Sequence, residues 1–171
     1  MLSMRPTRPP LWSTLAFGLL GAVASTALAQ APAPTSPAPA WAQGPVWVNI
    51  GGFSRHFVRG KGYNENNLGL GLELRTSDAV SLMAGYYVNS MRRDTQYAAV
   101  NWQPWTLGGW RLGAAVGVMN GYPAVARGGT FFAALPMASY EGARFGVNVG
   151  LIPSIKDVDG ALVIQFKMRL R

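Results

Sequence analysis

Residues 162–171 read Leu162-Val-Ile-Gln-Phe-Lys-Met-Arg-Leu-Arg171. Apolar side chains occupy every second position, and Gln165, Lys167 and Arg169 lie between them. Because successive side chains of a strand point to opposite faces, this spacing predicts a β-strand with one apolar and one polar face.

The same alternation recurs through the preceding residues, between short groups of turn-forming residues. It predicts eight strands in total, at 46–56, 66–75, 79–89, 95–104, 109–119, 130–140, 143–153 and 161–170. Each has about 10 residues, the length that a tilted strand needs to cross the hydrocarbon layer of a membrane. An even number of antiparallel strands can close with both ends on one side. We therefore predict an all-β fold, an eight-stranded antiparallel transmembrane β-barrel over 46–171 with periplasmic termini.

Four strands carry uninterrupted apolar rows, which we expect to face lipid. The rows are Leu68, Leu70, Leu72 and Leu74; Leu82, Ala84, Tyr86 and Val88; Leu112, Ala114, Val116 and Val118; and Phe145, Val147, Val149 and Leu151. Closure of the sheet gives every backbone amide a partner, as the water-free hydrocarbon requires. A soluble lipocalin-like barrel is the alternative, and it would place its apolar rows inside.

The first 45 residues are predicted to lie outside the barrel. Residues 1–29 combine Arg5 and Arg8, an apolar run and Ala27-Leu28-Ala29, which is typical of a cleaved signal peptide. Residues 30–45 form a spacer rich in Pro and Ala. The sequence contains no Cys, which excludes disulfides and a lipoprotein anchor.

The formal net charge of +8 becomes +6 without the two charges of Arg5 and Arg8. The remaining basic residues are scattered along strands, so the sequence argues against nucleic-acid binding and favours anionic lipid head groups. We predict a monomer in the outer membrane of a Gram-negative bacterium, with no metal and no other cofactor.

Side chains predicted to face the interior change with height. Toward the periplasm they are polar: Glu73, Arg75, Gln103, Arg111, Gln165, Lys167 and Arg169. Toward the outside they are small: Gly69, Gly71, Gly85, Ala99, Gly113, Ala115, Gly117 and Ala134. Two interpretations remain open. Either the small residues leave a slot for one hydrocarbon chain, or aromatic neighbours fill the space.

One group of polar residues is expected at the outer rim. His56 ends the first strand, and Asn89-Ser90 ends the third. A hydroxyl beside an imidazole and an orienting amide is a plausible set for acyl transfer. A solvated histidine at the rim is the simpler alternative.

Two prolines lie in adjacent strands. Pro136 falls within the sixth strand and Pro153 at the outer end of the seventh. Because proline cannot donate to the ladder, missing hydrogen bonds here could open a side slit for a lipid tail. Alternatively, each proline ends its strand early.

Several short motifs occur in order along these strands: Ser54-Arg55-His56-Phe57, Tyr63-Asn64-Glu65, Asn89-Ser90, Trp102-Gln103-Pro104, Leu135-Pro136-Met137-Ala138-Ser139 and Ile152-Pro153. In these motifs the chain resembles the lipid A palmitoyltransferases of the Gram-negative outer membrane, the PagP type. The resemblance implies a barrel that moves an acyl chain from a phospholipid to lipid A. It implies catalytic roles for His56 and Ser90, whereas Asn89 stands where the family has Asp. A carboxylate stabilises an imidazolium, and an amide does not.

The resulting function hypothesis is a lipid A acyltransferase whose catalytic candidates are His56, Ser90 and Asn89. Its partners would be a phospholipid donor and lipid A or lipopolysaccharide, and its candidate substrate-binding residues are Tyr63, Asn64, Arg92, Pro136, Pro153, Gly85 and Ala99. The alternatives are a non-catalytic structural or adhesion barrel and a lipid A deacylase or phospholipase.

Overall fold

The computed structural model describes residue 39 and residues 42–155 and 158–171. The predicted signal peptide and most of the predicted spacer therefore lie outside the described residues. No helix in the described part is long and apolar enough to cross a membrane. The strands are β1 (Val46–His56), β2 (Asn66–Asn67), β3 (Gly69–Arg75), β4 (Val80–Val88), β5 (Asp94–Leu107), β6 (Trp110–Met119), β7 (Phe131–Glu141), β8 (Phe145–Ile152) and β9 (Ala161–Arg169).

The strands form a closed antiparallel barrel. Neighbours follow the order β1-β3-β4-β5-β6-β7-β8-β9, and β9 pairs with β1 to complete the ring. The two-residue β2 pairs with the upper part of β1, so β2 and β3 together make one wall segment. The eight-stranded antiparallel barrel predicted from the sequence is confirmed.

The interruption between β2 and β3 arises at a bulge in β1. Gly51 has φ +93°, a left-handed conformation that favours glycine. The pairing of β1 with β9 also shifts register between Asn49 and Gly52. Such a bulge bends the strand and increases its local twist, which helps a small barrel to curve.

The first and the last strand residues of the barrel wall lie at the same end of the barrel. Trp47, near the start of β1, is opposite Arg169, at the end of β9. The connections at this end, 76–79, 108–109 and 142–144, are short, and we call it the short-turn end. The opposite, long-loop end carries 57–65, 89–93, 120–130 and 153–160.

The wall is apolar outside and polar inside. The expected outward residues include Leu72, which remains 55% exposed, and the others that stay strongly exposed are Leu68, Leu70, Leu82, Tyr86, Val116, Phe145 and Leu151. Few apolar side chains are fully buried, whereas Glu73, Gln103, Asn148 and Lys167 are. This arrangement is the reverse of a soluble lipocalin-like barrel.

Two inward assignments made from the sequence are wrong. Ala134 is exposed and pairs with outward Val116, so Ala133 and Leu135 are its inward neighbours. Arg169 is exposed at the end of β9 rather than enclosed.

A network of charges fills the interior near the short-turn end. The Lys167 ammonium, fully buried, lies 3.0 Å from both carboxylate oxygens of Glu73 and 2.7 Å from Glu141. Arg75 binds the same carboxylate of Glu141 at 2.5 Å. The Lys167 ammonium also lies 5.1 Å from the Trp47 ring centroid. A buried charge is tolerated only when paired in this way.

Polar side chains extend the network across the barrel. Asn148 Nδ2 donates to Glu73 at 2.9 Å, and the Ser139 hydroxyl donates to Asn148 Oδ1 at 2.6 Å. Gln103 Nε2 donates in turn to Ser139 at 2.9 Å. The predicted polar layer is thus present, and its groups bind one another.

Replacing Lys167 with Met should destabilise the barrel by about 3–5 kcal/mol, because Glu73 and Glu141 lose their shared cation inside the wall. Urea unfolding in lipid vesicles, followed by tryptophan fluorescence, would measure the change. The exposed Arg169→Met is the matched control, with an expected effect within about 0.5 kcal/mol. The double variant Glu73→Gln, Lys167→Met should recover part of the loss. Equal effects of Lys167→Met and Arg169→Met on the free energy of unfolding would contradict the role of the buried ammonium.

Candidate functional site

His56 is enclosed at the long-loop end, where β1 ends. It is 6% exposed, and its Nδ1 makes no hydrogen bond among the described residues. The Nδ1 atom lies 3.9 Å from the Oε1 atom of the Glu65 carboxylate. The Tyr63 ring stacks on the imidazole, with 4.3 Å between centroids. His56 is therefore a buried, stacked histidine rather than a solvated one.

Glu65 binds the backbone and the arginines around His56. Its Oε1 accepts from the His56 N–H at 3.2 Å and from Arg59 at 2.7 Å, and its Oε2 accepts from Arg55 at 3.2 Å. The hydrogen bonds from the His56 backbone N–H and from the Arg59 side chain hold the pKa of Glu65 below its ordinary value. The carboxylate is thus held ionised beside the imidazole.

Asp159 joins the first and last long loops. Its Oδ2 accepts from the Tyr63 hydroxyl at 2.5 Å and from the Lys61 ammonium at 2.7 Å. The hydrogen bonds from Lys61 and Tyr63 lower the pKa of Asp159. Asp159 was not among the residues predicted for this site, although a basic loop after β1 and an acidic residue just before β9 were a usable signal.

Asn89 is committed to the turn that follows β4. Its Nδ2 donates to Thr95 Oγ1 at 3.0 Å and to the Gly121 carbonyl at 2.8 Å. Its Oδ1 accepts from the backbone N–H groups of Met91 at 2.8 Å and Arg93 at 3.1 Å. These four bonds use the whole capacity of the amide. None is directed to His56.

Ser90 is separated from His56 by the loop after β1. Its carbonyl accepts from the Asn64 N–H at 2.9 Å, and its side chain interacts with the Tyr122 hydroxyl. Asn64 also donates to the Asn89 carbonyl at 3.2 Å. Among the described residues, no hydrogen bond or ion pair joins the side chains of His56, Asn89 and Ser90. The structure brings the predicted residues to one rim without forming the predicted hydrogen-bonded set.

Other predicted residues of this rim support the loops. Arg92 donates to the Gly62 carbonyl at 2.9 Å. Tyr63 and Asn64 are the bridging residues described above. The His, Asp and Glu residues in the described ranges form no group of three that could hold a metal ion.

Tyrosine side chains occupy the part of the interior that could have held a slot for one hydrocarbon chain. A side-chain carbon placed on Gly71 or Gly85 would lie 2.5 or 2.9 Å from the Tyr97 hydroxyl. Above it, the hydroxyls of Tyr87 and Tyr122 are 2.9 Å apart. Tyr122 reaches this position from the loop after β6. Gly85 thus leaves room for the Tyr97 hydroxyl, and Ala99, also predicted to line the slot, is partly buried on β5.

The wall between β7 and β8 is incomplete. Pairing runs only from Met137–Gly150 to Glu141–Gly146, whereas the segment 131–136 pairs with β6 alone among the described strands. Pro136 is the last residue of this segment, and Pro153 follows the end of β8. The predicted loss of ladder pairing is therefore present.

The gap between β7 and β8 is closed from inside. A side-chain carbon on Gly150 would lie 2.5 Å from Leu135 Cδ1 and 3.7 Å from Met137 Cε. On the outer wall, Leu112, Pro136 and Leu151 are among the residues around a depression of about 300 Å³. The slit is thus an outer groove backed by Leu135 and Met137.

No protein-family model and no curated protein matches this chain. Among solved structures, the chain is similar to the crystal structure of the N-terminal β-barrel domain of Pseudomonas aeruginosa OprF, with 14% sequence identity and a TM-score of 0.45. The similarity covers 75% of this chain and 98% of that domain. The resemblance to the palmitoyltransferases rests on the short motifs between residues 54 and 153.

Replacing Asn89 with Asp should destabilise the barrel by about 1–3 kcal/mol, because a carboxylate oxygen cannot donate to the Gly121 carbonyl. The midpoint of urea unfolding in vesicles would report the loss. Asn66→Asp is the control, since Asn66 is exposed and its side chain makes no hydrogen bond in the described part. Unchanged stability together with new acyl transfer in Asn89→Asp would instead assign Asn89 to the orientation of His56.

Proposed function

We propose that the chain is a non-catalytic outer-membrane β-barrel, a structural or adhesion protein that presents its long loops at the cell surface. The observation that carries the proposal is the inverted wall: apolar side chains face outward around an interior filled by an ion network and tyrosines. A barrel of eight strands is just wide enough for its own side chains to fill.

Exposed aromatic residues support the membrane location. At the short-turn end, Trp102 and Trp105 pack with 5.8 Å between ring centroids, and Trp110 and Tyr140 with 5.5 Å. Phe53 and Phe132 are exposed toward the long-loop end. Aromatic girdles at both edges of the apolar band are typical of transmembrane barrels. The proposed orientation has the long loops outside and the barrel termini in the periplasm, because such barrels have short periplasmic turns and longer outer loops.

The use of the polar groups supports a non-catalytic role. The Asn89 amide makes its hydrogen bonds to the turn at 89–93 and to neighbouring groups such as Thr95. Ser90 interacts with Tyr122 rather than with an imidazole. Tyr97 fills the space that an acyl chain would need. The barrel is accordingly proposed to be a monomeric membrane anchor for its long loops, and not an enzyme or an open pore.

A lipid A acyltransferase is the second candidate, favoured by the missing ladder between β7 and β8. An acyl chain would enter beside Pro136 and Pro153 after Leu135 and Met137 move. His56, with Nδ1 free of hydrogen bonds in the described part, would be the general base, and Ser90 would be the hydroxyl. A deacylase or phospholipase would use the same groups with water as the acceptor.

Replacing Leu72 with Arg should cost about 2–4 kcal/mol of folding stability in vesicles if that face meets lipid, whereas a substitution near the interface costs about 0–1 kcal/mol. Val58→Arg is the matched control, since Val58 is 41% exposed in a long loop. Reversible urea titration in phosphatidylcholine vesicles would compare the two variants. Equal, small effects, or a native protein soluble without detergent, would contradict the membrane location.

Purified protein incubated in detergent with radiolabelled phospholipid and lipid A should give no turnover, and in planar bilayers it should give no steady conductance. Thin-layer separation of the lipids distinguishes the candidates. Label transferred to lipid A would support the acyltransferase, and free fatty acid the hydrolase. Activity that His56→Ala abolishes would replace the structural proposal, whereas activity that this variant retains would point to a contaminant.

A further inference from the structure

A groove lies on the outer wall at the seam between β1 and β9, near the long-loop end. Its volume is about 210 Å³, and Phe53, Leu162 and Ile164 form its apolar part. Phe53 is opposite Ile164 in the ladder, and Arg55 is opposite Leu162 two pairs nearer the rim. The Phe166 ring packs edge-on against Phe53, with 6.0 Å between centroids, and continues the apolar surface away from the rim.

The polar end of this groove carries an unbalanced positive charge. Arg55 and Arg59 both bind Glu65, which also lines the groove. Two guanidinium groups thus share one carboxylate. The Arg55 side chain remains 67% exposed, and among the described contacts it donates only through Nη1. Donors for a further anion therefore remain at the rim end, directly above the apolar part.

We propose that this seam binds one membrane phospholipid, with its phosphodiester at Arg55 and Arg59 and one acyl chain along Phe53, Ile164 and Phe166. The inference rests on the membrane location proposed above. The net single positive charge matches the single negative charge of a phosphodiester, and arginine binds phosphate oxygens through paired donors.

The shape of the groove limits its occupant to one chain. Its volume lies below the roughly 300–1,000 Å³ of pockets that enclose whole small ligands. The direction also fits a lipid, because the cationic end is at the rim and the apolar end points toward the middle of the wall. The groove shares Leu162 with the outer groove beside Pro136, but its cationic end is formed by residues that do not line that second groove.

Native mass spectrometry of the full barrel in detergent would test the site with palmitoyl-oleoyl phosphatidylglycerol as the probe. Diacylglycerol of the same chains, glycerol phosphate and lipid A are the comparison ligands. We expect one phosphatidylglycerol to bind in preference to all three. Arg55→Gln should weaken its binding at least about tenfold by removing a charge-assisted contact. Ile164→Trp should weaken it similarly by filling the groove.

Matched controls separate this seam from general adhesion of lipid. Arg144→Gln removes an exposed arginine at the short-turn end, and Val116→Trp enlarges an exposed outward side chain on β6. Neither should change the binding of phosphatidylglycerol. Equal losses in the controls, equal binding of diacylglycerol or of glycerol phosphate, or a preference for lipid A would each overturn the proposed site.

The failure of this proposal can be told from failure of the membrane location. Arg55→Gln or Ile164→Trp variants that fold into vesicles and bind phosphatidylglycerol as the unaltered barrel does overturn the seam site alone, and so does an unaltered folded barrel that fails to bind it. A native barrel that stays in solution without detergent overturns both. Heat-modifiable migration in gel electrophoresis confirms that each variant is folded before its lipid binding is compared.

Discussion

The buried ammonium of Lys167 connects parts of the wall that share no ladder. Lys167 lies on β9, whereas Glu73 is two strands away on β3 and Glu141 is two strands away on β7 in the other direction. A carboxylate or an ammonium enclosed alone would cost several kcal/mol, so each member depends on the others. Because a slip of one residue would turn each charge to the opposite face, the network also fixes the register of β3, β7 and β9.

Periodicity predicted the strands and most of the facing, because alternation is a local property of the chain. The eight wall segments and the polar layer follow directly from it. The exception is instructive: in Phe131-Phe-Ala-Ala-Leu-Pro-Met-Ala138 both faces are apolar, so the pattern does not distinguish inward from outward. Ser139, which binds Asn148 inside the barrel, sets the true phase of β7.

The site was less predictable because it depends on distant loops. The Tyr63–Asp159 bond joins residues 96 positions apart, and no local motif announces it. Asn89 shows the converse problem. Its position after a strand matches a catalytic motif, yet Asn is also a residue that binds the backbone of its own turn. Similarly, Gly71 and Gly85 indicate missing side-chain volume, but only the structure identifies Tyr97 as the residue that occupies it.

The short pairing between β7 and β8 makes the ring mechanically uneven. The β4–β5 junction pairs along the whole of β4, whereas the β7–β8 junction is held only from Met137 to Glu141. Thermal motion should therefore open the barrel more easily at the long-loop end between β7 and β8 than at the better-paired junctions. The tilt of β7 can then change at a low energetic cost. In the proposed membrane location, the barrel would adapt to thicker or thinner bilayers by bending at the β7–β8 junction, while the charge network near the short-turn end stays rigid.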